Sequence, residues 1–196
     1  MNTRFYLTYF ILFLFSSSLF AQYDKQIELA KQYLQENKSE WGLAEQDIAD
    51  IKMDYAYQTE HNGVTHIYFK QQYAGIEIWN AIYNANILPN GKVLYVGNRF
   101  YTNIATKVNT NRAILSPEEA VMAAAKALNI DAAPTLKVQE AEGKKVVYNS
   151  NISRNDISVE LIYQPTKDEK LKLSWQLAIK MLKGTDYWYA NRCTNG

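Results

Sequence analysis

The spacing of apolar positions changes several times along this 196-residue chain, and each change marks an element. Between Asp24 and Asn37, Ile27, Ala30, Tyr33 and Leu34 recur at spacings of three and four. That is one face of a helix, which Asp24 is placed to cap and which ends before Ser39-Glu40-Trp41-Gly42. Ile51, Met53, Tyr55 and Tyr57 then alternate with polar or small residues, the period of a half-buried strand. From His61 to Phe100, strand-like runs rich in Tyr, Ile, Val and Phe are punctuated by Asn62-Gly63, Ala74-Gly75 and Pro89-Asn90-Gly91. Gly and Asn accept the positive φ of tight hairpins, so this stretch predicts a β-meander.

The polar segment 102–114, rich in Thr and Asn, has little periodicity and reads as a link. Ser116-Pro117-Glu118-Glu119 is a strong helix start: a Ser cap, Pro at the first helical position and Glu three residues after the cap. Ala120, Val121, Ala124 and Leu128 continue as the buried stripe, and Asn129 ends it. Strand-like runs follow at 135–141, 144–148, 159–164, 171–181 and 187–192, with turns at Gly143, 165–170 and Gly184-Thr185-Asp186. The second half thus repeats the order of the first, a helix and then an antiparallel meander. Helices on one face of antiparallel sheet define an α+β fold class.

The first residues have the layout of a secretory signal peptide: Arg4, the largely apolar run Phe5–Phe15, then Ser16-Ser17-Ser18 and Leu19-Phe20-Ala21. The apolar run is shorter than the roughly 20 residues a bilayer core needs. Cleavage is expected between Ala21 and Gln22, which leaves about 175 residues, enough for one large or two small domains. With 21 basic and 20 acidic residues the formal charge is +1. Nothing in this balance recruits nucleic acid or an anionic membrane, and no stable membrane association is expected once the signal is removed. Cys193 is the one cysteine, so no intrachain disulfide forms and stability must come from the core.

Catalytic chemistry is sparse. The two histidines, His61 and His66, are five apart and no His-Glu-x-x-His is present, so no metal site is expected. No Gly-x-Ser-x-Gly, Walker-type loop or Gly-x-Gly-x-x-Gly turn occurs. Asp54, Glu60, Glu77, Asp156 and Glu160 are scattered singly along strands. Trp175 and the run Tyr187-Trp188-Tyr189 read as core or sheet neighbours rather than as a ligand platform.

Thr65-His66-Ile67-Tyr68-Phe69-Lys70-Gln71-Gln72-Tyr73, Gly75-Ile76-Glu77-Ile78, Asn80-Ala81, Asn84-Ala85-Asn86, Gly91-Lys92-Val93 and Gly97-Asn98 follow one another here. Together they resemble the fungalysin/thermolysin propeptide domain of secreted fungalysin-type metalloproteases. The second unit, from Leu115-Ser116-Pro117-Glu118-Glu119-Ala120 through Leu173-Ser174-Trp175 to Tyr187-Trp188-Tyr189, resembles the PepSY domain of the same precursors.

The resemblance implies two cystatin-like α+β modules: 1–21 signal peptide, 22–101 propeptide-like domain, 102–114 linker and 115–196 PepSY-like domain. It selects His66, Tyr68, Gln72, Gly75, Ile76, Asn80, Ala81, Gly91 and Asn98 as motif and candidate interaction residues. Family precursors continue into a zinc protease domain, whereas this sequence reads Asn191-Arg192-Cys193-Thr194-Asn195-Gly196 at the corresponding place. The expectation is therefore a secreted prosegment without catalytic residues or cofactor, zinc belonging to a protease domain that is missing here. Its expected partner is a metalloprotease catalytic domain, in cis or in trans, which it helps to fold and keeps inactive as a zymogen. Two other readings fit the same residues: a free-standing secreted protease inhibitor, and a small-molecule enzyme on a cystatin-like fold with a deep cavity.

Overall fold

A computed structural model describes residues 23–182 and the backbone of 187–193. The expected signal segment with its expected cleavage point at Ala21 and Gln22, the expected turn at 184–186 and the side chains of Tyr187, Trp188, Tyr189 and Cys193 lie outside the described residues. The first unit comprises helix α1 (Asp24–Asn37), a 3-10 turn (Lys38–Trp41), the single-turn helix α2 (Glu45–Ile48) and strands β1 (Ile51–Gln58), β2 (Thr65–Tyr73), β3 (Ile76–Ile87) and β4 (Val93–Asn98). A short helix α3 (Ile104–Lys107) opens the connection. The second unit is helix α4 (Pro117–Ala127) and strands β5 (Leu136–Glu142), β6 (Lys145–Ser150), β7 (Ile157–Pro165), β8 (Leu171–Lys180) and β9 (Tyr187–Cys193).

Local chemistry accounts for most boundaries. Ser116 Oγ accepts from Glu119 N–H at 3.2 Å and the Glu119 carboxylate accepts from Ser116 N–H at 2.7 Å, so the capping box that starts α4 is closed. The expected cap on α1 is different. Asp24 is the first helical residue rather than the cap, and Tyr23 occupies the cap position without a side-chain bond. Asp24 instead places an anion in the first turn, where it complements the helix dipole.

Alternation along β1 also departs from expectation. The β1–β2 register slips between Met53 and Tyr55, so one residue is inserted opposite β2. A β-bulge reverses every side chain beyond it. Ile51, Met53 and Ala56 are consequently half-buried, whereas Tyr55 and Tyr57 turn outward.

The two meanders form one α+β sheet of nine strands, ordered β1-β2-β3-β7-β6-β5, with β4 on β3, β8 on β7 and β9 on β8. Their join is a parallel pairing of Glu77 and Ile78 of β3 with Ile162 and Tyr163 of β7. Each central strand is shared between neighbours: β3 gives its beginning to β7 and its end to β4, and β7 pairs first with β6 and then with β3. Asn80, at φ +60°, lies in an irregular stretch between the two halves of β3. Asn tolerates that left-handed conformation better than most residues.

One core runs under the whole sheet, from Ala30, Leu34, Phe69 and Tyr83 in the first unit to Val121, Ala124, Tyr163, Leu173 and Trp175 in the second. The Tyr83 ring lies 6.0–6.1 Å, centroid to centroid, from Trp41, Phe69 and Phe100, and its hydroxyl donates to Ala30 O at 3.0 Å. Aromatic rings thus fill the space between α1 and the sheet, where a small-molecule enzyme on this fold would need its cavity.

The connection is tied at both ends. The fully buried Asp47 carboxylate of α2 accepts from the N–H groups of Ala44, Asn103 and Ile104, each at 2.9 Å. Gln71 of β2, equally buried, donates to Asp47 O and Tyr101 O and accepts from Tyr101 N–H. Beyond α3, Val108 bridges Leu171, Asn109 Oδ1 accepts from Leu173 N–H, and Trp175 Nε1 donates to Leu115 O.

Candidate functional site

The sheet face opposite the helices in the first unit is built from alternate residues of four strands. One row runs Tyr57, His66, Asn86 and Tyr95, each directly opposite the next; a second runs Tyr55, Tyr68, Asn84 and Gly97. The bulge in β1 is what delivers both tyrosines to this face. Tyr55, Tyr57 and Tyr95 remain about half exposed, at 49%, 46% and 58%.

The rows are held by stacking and by hydrogen bonds. Tyr55 stacks on Tyr68 with centroids 4.4 Å apart, and Tyr57 on His66 at 4.7 Å. One His66 ring nitrogen, Nε2, is 2.8 Å from Thr59 Oγ1, and the other, Nδ1, is 2.9 Å from Asn86 Oδ1. Because an amide oxygen only accepts, Nδ1 is assigned the proton and Nε2 accepts from the Thr59 hydroxyl. Burial, followed by the neighbouring Tyr57 and Tyr55 phenols, raises Tyr68 above the ordinary tyrosine range. Its hydroxyl therefore stays protonated at neutral pH and can donate. A Cβ on Gly97 would lie 2.4 Å from Asn84 Oδ1, so glycine there lets the Asn84 amide lie over β4.

Beside these rows Lys70 bridges Asp54 and Glu77, each at 3.1 Å, and Glu77 also meets Lys52 at 3.2 Å. Burial pulls the Lys70 ammonium down, but the two carboxylates outweigh it and hold it above the usual lysine range. Stacked rings, amides, hydroxyls and paired charges suit contact with another macromolecule. Among the described residues no group of three or more His, Cys, Asp or Glu side chains is arranged to hold a metal.

The structure distributes the motif residues among several roles. His66 and Tyr68 are on the outer face. Gly75, at φ +67° after Ala74 at +51°, forms the tight β2–β3 turn, and its N–H donates to Asp50 Oδ2 at 2.7 Å. Gln72 is opposite Glu77 beside that turn. Gly91, at φ +86°, shapes the β3–β4 turn, and Asn98 Oδ1 accepts from Phe100 N–H at 3.0 Å. Ile76 and Ala81 are buried and act through the core, and Asn80 lies in the irregular stretch of β3. Tyr55, Tyr57, Asn84, Asn86, Tyr95 and the half-exposed Trp79 complete the surface without having been selected from sequence. The alternation Asn84-Ala85-Asn86 was a readable signal, a polar outward face on an otherwise apolar strand.

Residues 56–100, from within β1 to just past β4, match the Fungalysin/Thermolysin Propeptide Motif. This chain is 37% identical over 122 residues to extracellular metalloproteinase 2 of Trichophyton rubrum, 59% of this chain and 19% of that protein. It is 33% identical over 120 residues to extracellular metalloproteinase 1 of Arthroderma benhamiae, and 33% over 121 residues to probable extracellular metalloproteinase 3 of Trichophyton verrucosum, with the same shares covered. The match spans about a fifth of the length of these relatives.

Proposed function

We propose that this chain, which carries the propeptide motif, acts as the prosegment of a fungalysin-type zinc metalloendopeptidase. The match of residues 56–100 to that motif carries the reading. The extracellular relatives and the signal-like first 21 residues support export with cleavage between Ala21 and Gln22. The working units are 22–101, cystatin-like, and 115–196, PepSY-like, joined through 102–114. The prosegment binds the catalytic domain, in cis or in trans, assists its folding and covers its cleft. A template that binds only the native enzyme stabilises it by mass action.

Contact is assigned to the outer face around His66, Tyr68 and Gln72 and to the edge strand β1, with Asn98 supporting it from the inner side of β4, opposite Tyr83. Among the described strands β1 pairs only with β2, which leaves backbone groups for strand addition. Gly75, Ile76, Asn80, Ala81 and Gly91 support that face from turns and core.

The test is refolding of a fungalysin-type catalytic domain with the purified chain present or absent, followed by casein turnover. A higher yield of folded protease, whose activity is suppressed until the chain is digested, is the expected result. Equal yields with and without the chain, together with uninhibited turnover, would refute it. The chain alone is expected to show no peptidase activity with or without added zinc.

A further inference from the structure

Where β3 meets β7, a pocket of about 200 Å³ opens on the face opposite the helices. Trp79, Ile82 and Ile162 give it apolar walls, and Lys70, Glu77, Glu160 and Gln176 give it polar groups. The register explains the assembly. Glu77 pairs with Ile162, and Glu160 faces Gln176 across β7 and β8, so side chains from both units converge over the seam.

The pocket lining carries two carboxylates, Glu77 and Glu160, against one ammonium, Lys70. Glu77 is shared by Lys52 and Lys70, and Lys70 is further tied to Asp54. The side chain of Glu160, only partly exposed and opposite Lys145 in the β6–β7 register, forms no hydrogen bond or ion pair among the described residues. A carboxylate partly withdrawn from water gains from a cationic partner. Trp79, 48% exposed on the wall, adds an aromatic face on which a flat cation can lie. Arginine combines a planar charged fork with an apolar stem, which matches carboxylates beside Trp and Ile better than the compact ammonium of lysine.

We propose that this seam pocket binds an arginine side chain presented by a protein partner. It rests on the prosegment reading only for the identity of the partner, the catalytic domain; the chemistry of the pocket is independent of it.

The probe is N-acetyl-arginine methylamide, titrated into the full chain and followed by NMR at the Trp79 indole N–H and the Glu160 and Gln176 amides. Saturable shifts confined to the pocket are expected, with the neutral citrulline analogue giving less than about a tenth of the response. Glu160→Gln should weaken binding at least about fivefold, while Glu140→Gln on exposed β5 leaves it unchanged. No saturable shift, equal shifts from citrulline, or equal affinity for the lysine derivative would overturn the proposal. Pocket binding that persists although the chain neither refolds nor inhibits a protease would remove the prosegment reading alone.

Discussion

Replacing Asp47 by Asn tests the buried anchor that ties the connection to the first unit, with almost no change in volume. Asp47 Oδ1 accepts from Ile104 N–H and Oδ2 from Ala44 and Asn103 N–H. An asparagine can keep its oxygen on the side of two donors, but its amide then faces the third, so one bond is lost and two donors oppose each other. Charge-assisted bonds contribute about 1.5–3 kcal/mol net, and a buried group left unsatisfied costs about 1–3 kcal/mol. The terms overlap, so the expected loss is about 2–4 kcal/mol. Urea unfolding followed by tryptophan fluorescence reads it as a lower midpoint at unchanged slope. Asp54→Asn removes a partly exposed ion pair with Lys70 and should cost no more than about 1 kcal/mol. If Asp47→Asn cost less than Asp54→Asn, the buried-anchor reasoning would be wrong.

At Gly75, φ +67° makes valine strained, so Gly75→Val is expected to destabilise by about 1–3 kcal/mol, whereas Ala74→Asn, at φ +51°, should stabilise slightly. Paired urea melts showing both changes neutral would refute this. Ser116→Ala opens the α4 capping box and should cost about 1 kcal/mol, with Ser116→Asp restoring most of it. Burial, more than any neighbour, raises the phenols of Tyr83, Tyr148 and Tyr163, the last to about 12. Unfolded tyrosines ionise near pH 10, so the native state holds more protons above that value. This contribution is therefore intact below about pH 10 and lost as pH rises through the folded values. Late tyrosinate absorbance should coincide with loss of tertiary signal; late tyrosines ionising in a fully folded protein would contradict it.

Features written in adjacent residues were legible in the sequence. The capping box at Ser116 and the Ala74-Gly75 turn each depend on a few neighbours. The β1 bulge was not legible, because Met53-Asp54-Tyr55 alternates smoothly and only pairing with β2 forces the slip. Nothing in the neighbouring residues marks Asp47, because its burial depends on donors that arrive from residues 103 and 104. At the candidate site, local motifs pointed to His66 and Tyr68. Their neighbours Tyr55 and Tyr57 come from another strand, beyond its bulge, so only the register reveals them. The α+β class could be read, whereas the union of the meanders through β3 and β7 is a long-range pairing with no local signal.

That union also bears on the order of folding. The hairpins β1–β2, β2–β3 and β7–β8 close short loops and can form early, whereas the pairing of Glu77 and Ile78 with Ile162 and Tyr163 closes a loop of roughly 80 residues. During synthesis the first part of β3 must wait, with one edge open, until β7 emerges. Irregular backbone at Asn80 and the small, heavily paired patch around Lys70 and Glu77 make that waiting edge a poor template for another chain. Substitutions that flatten or neutralise this stretch are thus expected to lower the yield of soluble protein more than the stability of the finished fold.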